Sequence, residues 1–320
     1  MRVLVVGGAG YIGAHVCEEL VNAGYDVRIY DDFSNGLHSR ITKFPDVVTA
    51  DVLDRESLVK SMAGVDSVIH LAAKKAVGES VDNPLKYYEN NFGGTLNILA
   101  AMKIAGVKKI VFSSTAAVYS PSEKPAITEE DSTIPLSPYG ATKLLSEQLI
   151  SNVSSAEGFS CVSLRYFNVA GSGSDEMGDN SRDNLVPKVF LAITNGERPE
   201  VFGTDYPTLD GTCIRDYIHV SDLARAHIDA LKAVEKSRID EIYNVGSGNG
   251  FSVTEVMTEI EKAMGKNLNP ILGPRRAGDS PKLIASIEKI SRDLGWKPKH
   301  TLRDMITSSW SAWQSQGGSR

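Results

Sequence analysis

The first thirteen residues place an apolar strand pattern directly before a glycine loop and an amphipathic helix. The strand pattern is RVLVV at 2–6, and GGAGYIG at 7–13 fits both GxxGxxG and GxGxxG. Such glycines permit a tight turn, and the helix that follows offers free N–H groups to an anion such as a pyrophosphate. Because the loop lies at the first strand–helix junction, the pattern predicts a dinucleotide site in an α/β domain.

The same alternation of short apolar stretches and amphipathic stretches continues to about residue 170. Strands are predicted at 2–6, 27–30, 47–49, 67–71, 109–113 and 161–165, with helices at 12–23, 55–62, 84–105 and 138–157. Strands that are apolar throughout and separated by helices indicate a parallel sheet covered on both faces. The predicted fold class is therefore α/β, with a Rossmann-type doubly wound parallel sheet over residues 1–170.

The sequence changes in character after residue 170. A polar, glycine-rich loop at 171–184 precedes predicted helices at 185–196, 221–235, 253–264, 287–294 and 301–315 and strands at 199–202, 214–218 and 242–245. A chain of 320 residues favours two domains. We expect residues 171–320 to form mainly a smaller mixed α/β substrate domain, while segments 215–235 and 241–246 return to the first domain.

Charge and cysteine content limit the partners that this chain can have. Its formal charge of −6 argues against nucleic acid or an anionic membrane, and no apolar run approaches the roughly 18 residues of a membrane span. The three cysteines are far apart and form no CxxC, which indicates buried thiols in a reducing compartment and no metal site. No signal-peptide pattern precedes the first strand, so we expect a soluble, cytoplasmic protein.

Side chains at the ends of the predicted strands indicate which dinucleotide the loop binds. Asp31 ends the second strand about 20 residues past the glycine loop, where a carboxylate binds the adenosine ribose and repels a 2′-phosphate. No arginine or lysine occupies residues 29–35, so NAD is favoured over NADP. Asp51, Ala72 and Ala73 follow the next two strands, at the edge where an open parallel sheet faces its ligand.

A tyrosine and a lysine spaced by four residues form the candidate catalytic pair. Of the 11 tyrosines, only Tyr139 has a lysine four residues on, Lys143. On a helix the two share one face, and an ammonium there would lower the phenol pKa from its usual value of about 10. With the Thr115 hydroxyl after the fifth strand, the set could take a proton from an alcohol while hydride leaves for NAD. Without that surrounding domain, the spacing would be typical of a surface pair.

Longer motifs cover nearly the whole chain: KAVGES (75–80), YYENNFGGT (87–95), SSTAAVY (113–119), SPYGATK (137–143), LRYFNVAG (164–171), GTDYPTLDGTCIRDYIHV (203–220), YNVGSG (243–248) and PRRAGD (274–279). Together with the glycine loop, they resemble the extended short-chain dehydrogenase/reductase family, and within it the UDP-sugar 4-epimerases. The resemblance implies an NAD-dependent isomerase that interconverts UDP-galactose and UDP-glucose through a 4-keto intermediate. It also implies a homodimer built through helices 84–105 and 138–157, with apolar residues such as Leu96, Leu99, Met102, Leu144 and Leu149.

The resemblance implies a role for each matched residue. Tyr139 would be the base at the sugar 4-hydroxyl, and Lys143 would lower its pKa and bind the nicotinamide ribose. Thr115 stands where the family usually has serine, which keeps the hydroxyl and adds a methyl group. The implied cofactor-binding residues are Gly7, Gly10, Tyr11, Ile12, Gly13, Asp31, Asp51, Val52, Ala72, Ala73, Lys75, Asn91, Tyr139, Lys143 and Tyr166.

A second implied set binds the UDP-sugar. Its members are Lys75, Thr115, Tyr139, Asn168, Asn184, Leu185, Arg215, Arg276, Asp279 and Leu283. Asn168, Asn184 and Leu185 would hold the uracil nucleotide and the sugar. Arg215, Arg276 and Asp279 would bind the diphosphate and the uridine ribose, since arginine offers a fork of charge-assisted donors.

The residues exclude one related enzyme and leave other functions open. Nucleotide-sugar 4,6-dehydratases need an Asp–Glu pair where this chain has Ala116 and Ala117, so that function is excluded. A non-catalytic NAD-binding protein would be expected to lack Tyr139 or Lys143, and an oxidoreductase with exchanging NAD would show net NADH formation. Leu283 matches the family position that limits sugar size, and its intermediate volume favours some tolerance of N-acetylhexosamines. UDP-pentose and UDP-uronate epimerases also stay open.

Overall fold

The computed structural model describes residues 1–276 and 279–317. The strands in those ranges are β1 (Arg2–Val6), β2 (Asp26–Asp31), β3 (Val47–Thr49), β4 (Ser67–His70), β5 (Lys109–Ser113), β6 (Ser160–Tyr166), β7 (Asn168–Ala170), β8 (Glu200–Phe202), β9 (Ile214–His219), β10 (Asp240–Val245), β11 (Gly250–Ser252), β12 (Ile271–Gly273) and β13 (Lys282–Leu283). The α-helices are α1 (Tyr11–Asn22), α2 (Arg55–Ser61), α3 (Val77–Asp82), α4 (Pro84–Tyr87), α5 (Gly94–Ala105), α6 (Pro138–Glu157), α7 (Leu185–Thr194), α8 (Val220–Lys236), α9 (Val253–Met264), α10 (Glu288–Leu294) and α11 (Leu302–Ser315).

Seven parallel strands form the main sheet, in the order β10-β6-β5-β4-β1-β2-β3. The chain runs from β1 outward to β3, then returns to β4 beside β1 and continues outward in the opposite direction. The order therefore reverses between β1 and β4, and an open parallel sheet binds its ligand beyond the strand ends at that point. The predicted Rossmann-type doubly wound sheet is confirmed.

Both faces of this sheet are buried, because successive residues of a strand point to opposite sides. Val3 and Val5 of β1 belong to the core under α1 and α8, whereas Leu4 and Val6 belong to the core under α2, α5 and α6. All four side chains are fully buried. This arrangement explains why the predicted strands are apolar at consecutive positions instead of alternating.

Helix α6 begins and ends at residues suited to these positions. The Ser137 side chain accepts a hydrogen bond from the Gly140 N–H, and Pro138 occupies the first turn, where a missing N–H does not matter. Gly158 ends the helix in the left-handed region, with φ +71°. The predicted bounds 138–157 match this helix, whereas the predicted helix 84–105 is divided into α4 and α5 by a π-helical segment at 88–93.

The remaining strands form a smaller sheet, in which β9 pairs with β7, β11 and β13, and a two-stranded sheet of β8 and β12. The sequence did not predict β7, β11, β12 or β13. Of the segments expected to return to the first domain, β10 pairs with β6 and α8 packs on α1 and β5. Residues 215–219, however, belong to β9 of the smaller sheet, so that part of the expectation is wrong.

The helices expected to form a dimer interface are partly buried within the chain itself. Leu99 and Met102 lie in the core under the main sheet, whereas Leu96 is about half exposed. Leu85, Val81 and Tyr88 add exposed apolar surface beside it. In the described ranges no helix combines the length and apolarity needed to cross a bilayer.

Candidate active site

An open cleft lies where the strand order reverses. Its walls come from the carboxyl ends of β1 to β4 and from the π-helical segment. They include Gly7, Gly10, Asp31, Ser34, Gly36, Val52, Ala72, Ala73, Lys74 and Asn90. The predicted strand-end residues Gly7, Asp31, Ala72 and Ala73 are therefore brought together.

Three of the four glycines in the loop, Gly7, Gly10 and Gly13, differ in what the fold requires of them. Gly7 has φ +90°, and a Cβ on it would lie 2.5 Å from the Ala72 nitrogen. A Cβ on Gly13 would lie 2.0 Å from the Gly7 oxygen, so close packing of helix against loop requires glycine there. Gly10, by contrast, has ordinary dihedral angles, and a Cβ on it would only approach the Gly7 oxygen at 3.4 Å. The fold does not require glycine at position 10, so close approach of a ligand is the physical reason that remains.

The Asp31 carboxylate lies buried at the adenosine end predicted for the cleft. One oxygen accepts a hydrogen bond from the Ala9 N–H and the other from the Phe33 N–H, both at 2.9 Å. Burial raises the pKa of Asp31, and the two backbone hydrogen bonds partly offset that rise. Each carboxylate oxygen retains acceptor capacity for a ribose hydroxyl.

Two residues that the family resemblance implies for cofactor binding are more exposed than expected. Asp51 is exposed, and its carboxylate accepts a hydrogen bond from the Leu53 N–H at 2.8 Å. Lys75 is exposed as well, whereas its neighbour Lys74 lines the cleft and donates to the Ser34 hydroxyl at 2.8 Å. The sequence analysis missed Lys74 and Ser34.

Thr115, Tyr139 and Lys143 come together at the carboxyl end of β5. Thr115 follows β5, and its hydroxyl lies near enough to the Tyr139 phenol to influence the pKa of the phenol. Lys143, one helical turn beyond Tyr139, donates to the Ser113 carbonyl at 2.8 Å and lies 4.7 Å from the centre of the Phe112 ring. All three predicted catalytic side chains are buried.

Burial dominates the protonation of this set. Burial raises the pKa of Tyr139, and the nearby Thr115 hydroxyl opposes that rise. Burial lowers the pKa of Lys143 to about 7, which Glu147 on the next turn counteracts. The expected lowering of the tyrosine pKa by Lys143 is therefore not a main influence on the phenol in this arrangement.

The π-helical segment brings Asn91 between the cleft and helix α6. Its side-chain oxygen accepts from the Lys74 N–H at 2.8 Å, and its amide donates to the Lys74 carbonyl and to the Thr142 hydroxyl. π-helical turns are frequent at functional sites because they redirect a side chain. Asn91 thus joins the cleft wall to the helix that carries Tyr139. Tyr166 lies at the end of β6, where the Ser113 hydroxyl opposes the rise in the Tyr166 pKa that burial causes.

The residues expected to bind a diphosphate lie beside the smaller sheet. Arg215 on β9 forms an ion pair with Asp279 at 3.1 Å and donates to the Ser280 carbonyl. Arg276 lies over the ring of Phe202, 4.0 Å from its centre, and is exposed. Ala277 and Gly278, the middle of the PRRAGD motif, lie outside the described residues.

The other residues expected to bind substrate frame the same region. Asn168 begins β7, where its side chain opposes the rise in the Tyr217 pKa that burial causes. Asn184 stands at the N-cap position of α7, and its side chain donates to Asp179 at 2.6 Å. Leu185 begins α7 and packs against the smaller core. Leu283 on β13 lies beside Arg215 in the parallel register and packs near Ala116.

Comparisons with known proteins agree with this geometry. The NAD dependent epimerase/dehydratase family matches residues 3–246. The UDP-glucose 4-epimerase of Bacillus subtilis is 43% identical, over 98% of this chain and 97% of that protein. The UDP-glucose-4-epimerase structure from Stenotrophomonas maltophila, with bound NAD and formylated UDP-arabinopyranose, has a TM-score of 0.94 and 38% identity over 99% and 98% of the two chains.

A third relative differs in the substrates that it is named for. The UDP-Glc/GlcNAc 4-epimerase structure from Campylobacter jejuni has a TM-score of 0.86 and 36% identity, over 98% of this chain and 99% of that chain. These matches confirm the resemblance to the extended short-chain dehydrogenase/reductases and the prediction of an NAD-dependent enzyme. The chain therefore belongs to the NAD dependent epimerase/dehydratase family.

Proposed function

We propose that this protein interconverts UDP-galactose and UDP-glucose by oxidising the sugar at C4 and reducing it again on the opposite face. The observation that carries the proposal is the buried cluster of Thr115, Tyr139 and Lys143 at the end of β5, with Lys143 fixed by the Ser113 carbonyl. A general base and a hydroxyl close together can remove the proton of a sugar hydroxyl between them. Its relative from Bacillus subtilis, 43% identical, is named for this activity.

The cleft residues fit the cofactor that the family name implies. Residues 7–13 and the start of α1 would hold the NAD diphosphate, Asp31 the adenosine ribose, and Lys143 the nicotinamide ribose. Gly10 supports this assignment, because the fold alone would accept a side chain there. These residues would hold NAD so that it could supply a hydride acceptor and donor for C4 of the sugar.

The chain's own residues supply the proton chemistry and the anchoring of the substrate. Tyr139 would accept the proton of the C4 hydroxyl, which Thr115 orients, and would return it after the sugar has turned. The sugar must rotate while the nucleotide stays fixed, so binding energy belongs on the UDP end. We assign that end to Arg215, Arg276 and Asp279, with Asn168, Asn184 and Leu185 around the nucleotide and sugar. In this proposal residues 1–170 bind NAD, and residues 171–320 without α8 and β10 bind UDP-sugar.

The sugar range is part of the proposal. Leu283 is a half-buried side chain beside Arg215, and we expect it to admit N-acetylhexosamines to some degree. The relative from Campylobacter jejuni is named for both glucose and N-acetylglucosamine substrates, and the Stenotrophomonas structure holds a UDP-pentose derivative. A Leu283→Tyr variant should lose activity on the N-acetylated substrates and keep activity on UDP-galactose. If the wild type and the variant were equally active on both substrate classes, this gating role would be excluded.

The function is tested by supplying UDP-galactose to the purified protein without added NAD. We expect UDP-glucose to accumulate to equilibrium, with no net NADH absorbance, and Tyr139→Phe to lower the rate by roughly 10² to 10⁴-fold. UDP-N-acetylgalactosamine, a UDP-pentose and UDP-glucuronate are assayed in parallel to define the range. Net NADH formation would indicate an oxidoreductase, and no conversion of any UDP-sugar, even with NAD supplied, would contradict the proposal.

The exposed apolar surface on α3, α4 and α5 supports a homodimer as part of the proposal. Leu85 is 82% exposed, Val81 60% and Leu96 49%, and Leu145 of α6 is exposed as well. Large apolar side chains left exposed on packed neighbouring helices would form an interface if they are contiguous. The three cysteines are free and buried, which supports a reducing, cytoplasmic compartment.

Light scattering would measure the mass of the wild type and of a Leu96→Glu variant. We expect twice the chain mass for the wild type and the monomer mass for the variant, because a charge would be buried at the interface. Val21→Glu is the matched control, since Val21 is equally exposed but lies on α1, on the other face of the main sheet. A monomeric wild type would contradict this assembly.

A further inference from the structure

Three consecutive residues at the end of β5 contact three side chains of helix α6. The Ser113 carbonyl accepts from Lys143, the Ser114 hydroxyl donates to Glu147, and the Thr115 hydroxyl influences the pKa of the Tyr139 phenol. Tyr139, Lys143 and Glu147 are spaced by four residues, so they share one face of the helix. Two of these three contacts belong to the proposed catalytic set, and the third involves a buried carboxylate with no role so far.

Glu147 is held by an arginine from the neighbouring strand. The Arg165 guanidinium donates to both Glu147 oxygens, at 2.7 Å from Nη2 to Oε2 and 3.0 Å from Nε to Oε1. The two side chains are each 4% exposed. Arg165 also donates to the Tyr119 hydroxyl at 3.0 Å, which in turn donates to Asn244. A forked, fully hydrogen-bonded pair of this kind fixes the position of both partners.

We propose that Glu147, fixed by Arg165, is a positioning residue that keeps Lys143 protonated beside Tyr139. This inference rests on the proposed function for its catalytic meaning. Lys143 is buried and its ammonium has one carbonyl partner, the oxygen of Ser113, so an uncompensated charge there would be costly. Glu147 provides the compensating negative charge one turn away. Its hydrogen bonds to Arg165 keep the carboxylate from turning toward the Lys143 ammonium and forming a direct ion pair with it.

The other groups around Lys143 do not provide that compensation. His70 on β4 and His227 on α8 are buried, and burial lowers the pKa of each, so both are neutral at pH 7. Burial raises the pKa of Tyr139 and Tyr166, so these phenols are neutral in the same arrangement. Glu147 is the influence that raises the pKa of Lys143, against the lowering by burial.

The test measures the Lys143 pKa and the reaction rate in three variants. Carbon-13 NMR of ε-labelled lysine reports the pKa directly in the 34.6 kDa chain with its cofactor bound, and Lys143→Met assigns the signal. Glu147→Gln keeps the shape of the side chain and removes its charge, whereas Glu147→Asp keeps the charge. We expect the Gln variant to lower the Lys143 pKa by about one unit and to lower kcat roughly tenfold at pH 7.5 with KM unchanged. The Asp variant should retain most of both.

A double variant separates this role from simple structural support. Glu147→Leu with Arg165→Met removes both charges and leaves neither unpaired, a replacement that many proteins tolerate. We expect it to keep the lowered Lys143 pKa and the lowered kcat. Wild-type values of both in the double variant, or equal values in the Gln and Asp variants, would overturn the proposal. If the wild type has no epimerase activity, the proposed function fails, while the NMR titration still decides whether Glu147 controls Lys143.

Discussion

The Thr115 hydroxyl opposes the rise in the Tyr139 pKa that burial causes. Thr115→Val removes the hydroxyl and keeps the shape, so the phenol should ionise less readily and orient the substrate less well. We expect kcat to fall roughly 10- to 100-fold, with the rate rising toward higher pH. Thr115→Ser is the matched control and should retain most activity. Equal rates for the Val and Ser variants would mean that the hydroxyl has no such role.

Alanine substitutions at Gly10 and Gly13 are expected to have different effects, although both residues belong to the same motif. An alanine Cβ at position 13 would lie 2.0 Å from the Gly7 oxygen, so Gly13→Ala should destabilise the fold by roughly 2–4 kcal/mol. At position 10 the same Cβ fits the folded chain. Gly10→Ala should therefore change the free energy of unfolding by less than about 1 kcal/mol while NAD retention falls at least roughly tenfold. Urea unfolding of the cofactor-free protein and cofactor content after dialysis measure the two effects; normal NAD retention in Gly10→Ala would contradict the assignment.

At the level of elements, a buried arginine connects the loop after β2 with the loop before α7. Arg40 donates to the Gly178 carbonyl at 2.6 Å and to the Asn180 side chain at 3.0 Å. Between these two partners, Asp179 accepts from Asn184, a predicted substrate residue, at 2.6 Å. The cleft that should bind the cofactor is thus joined to a segment that should bind the sugar nucleotide.

Removing this connection should weaken substrate binding without changing the chemical step. We expect Arg40→Met to raise KM for UDP-galactose roughly tenfold, the effect of losing one charge-assisted hydrogen bond, with kcat within about twofold. Arg55→Met, an exposed arginine on α2, is the control. A fall in kcat with unchanged KM would assign Arg40 to the catalytic step instead.

The sequence predicted those elements and residues whose cause is local. Strands β1 and β5 have the predicted bounds because each contains a continuous apolar run, and a glycine directly follows β1. Glu147 was missed because its partners, Ser114 and Arg165, are 33 and 18 residues away. Lys75 was chosen over Lys74 because the direction of a loop side chain depends on the tertiary turn. Leu99 and Met102 were assigned to an interface because helical periodicity does not reveal what covers an apolar face.

At the scale of the whole molecule, buried histidines should make the fold sensitive to acid. Burial lowers the pKa of His15, His219 and His227 to about 4 each. A folded pKa below the unfolded value of about 6.5 means that these neutral histidines contribute stability above pH 6.5, which is lost as the pH falls toward 4.

We therefore expect the urea midpoint of unfolding to fall steadily between pH 6.5 and pH 4.5. His15 accepts from the Gly173 N–H and contacts the Tyr11 carbonyl, so it joins α1 to the loop after β7. His15→Gln should make the urea midpoint fall less steeply with decreasing pH, because it removes at most about 3 kcal/mol of pH-dependent stability. His38→Gln, at an exposed residue, should leave this pH dependence unchanged. A midpoint independent of pH in this window would contradict the prediction.

The central claim is that the C4 hydrogen leaves the sugar and returns to it within one active site. UDP-galactose carrying deuterium at C4 would be incubated with the purified protein in ordinary water, without added NAD, and the UDP-glucose formed would be examined by NMR and mass spectrometry. The account predicts that essentially all of the deuterium stays at C4 of the product. Loss of the label to solvent would show that C4 is deprotonated instead of oxidised by hydride removal, and the roles assigned to Tyr139, Lys143 and the cleft would then be wrong.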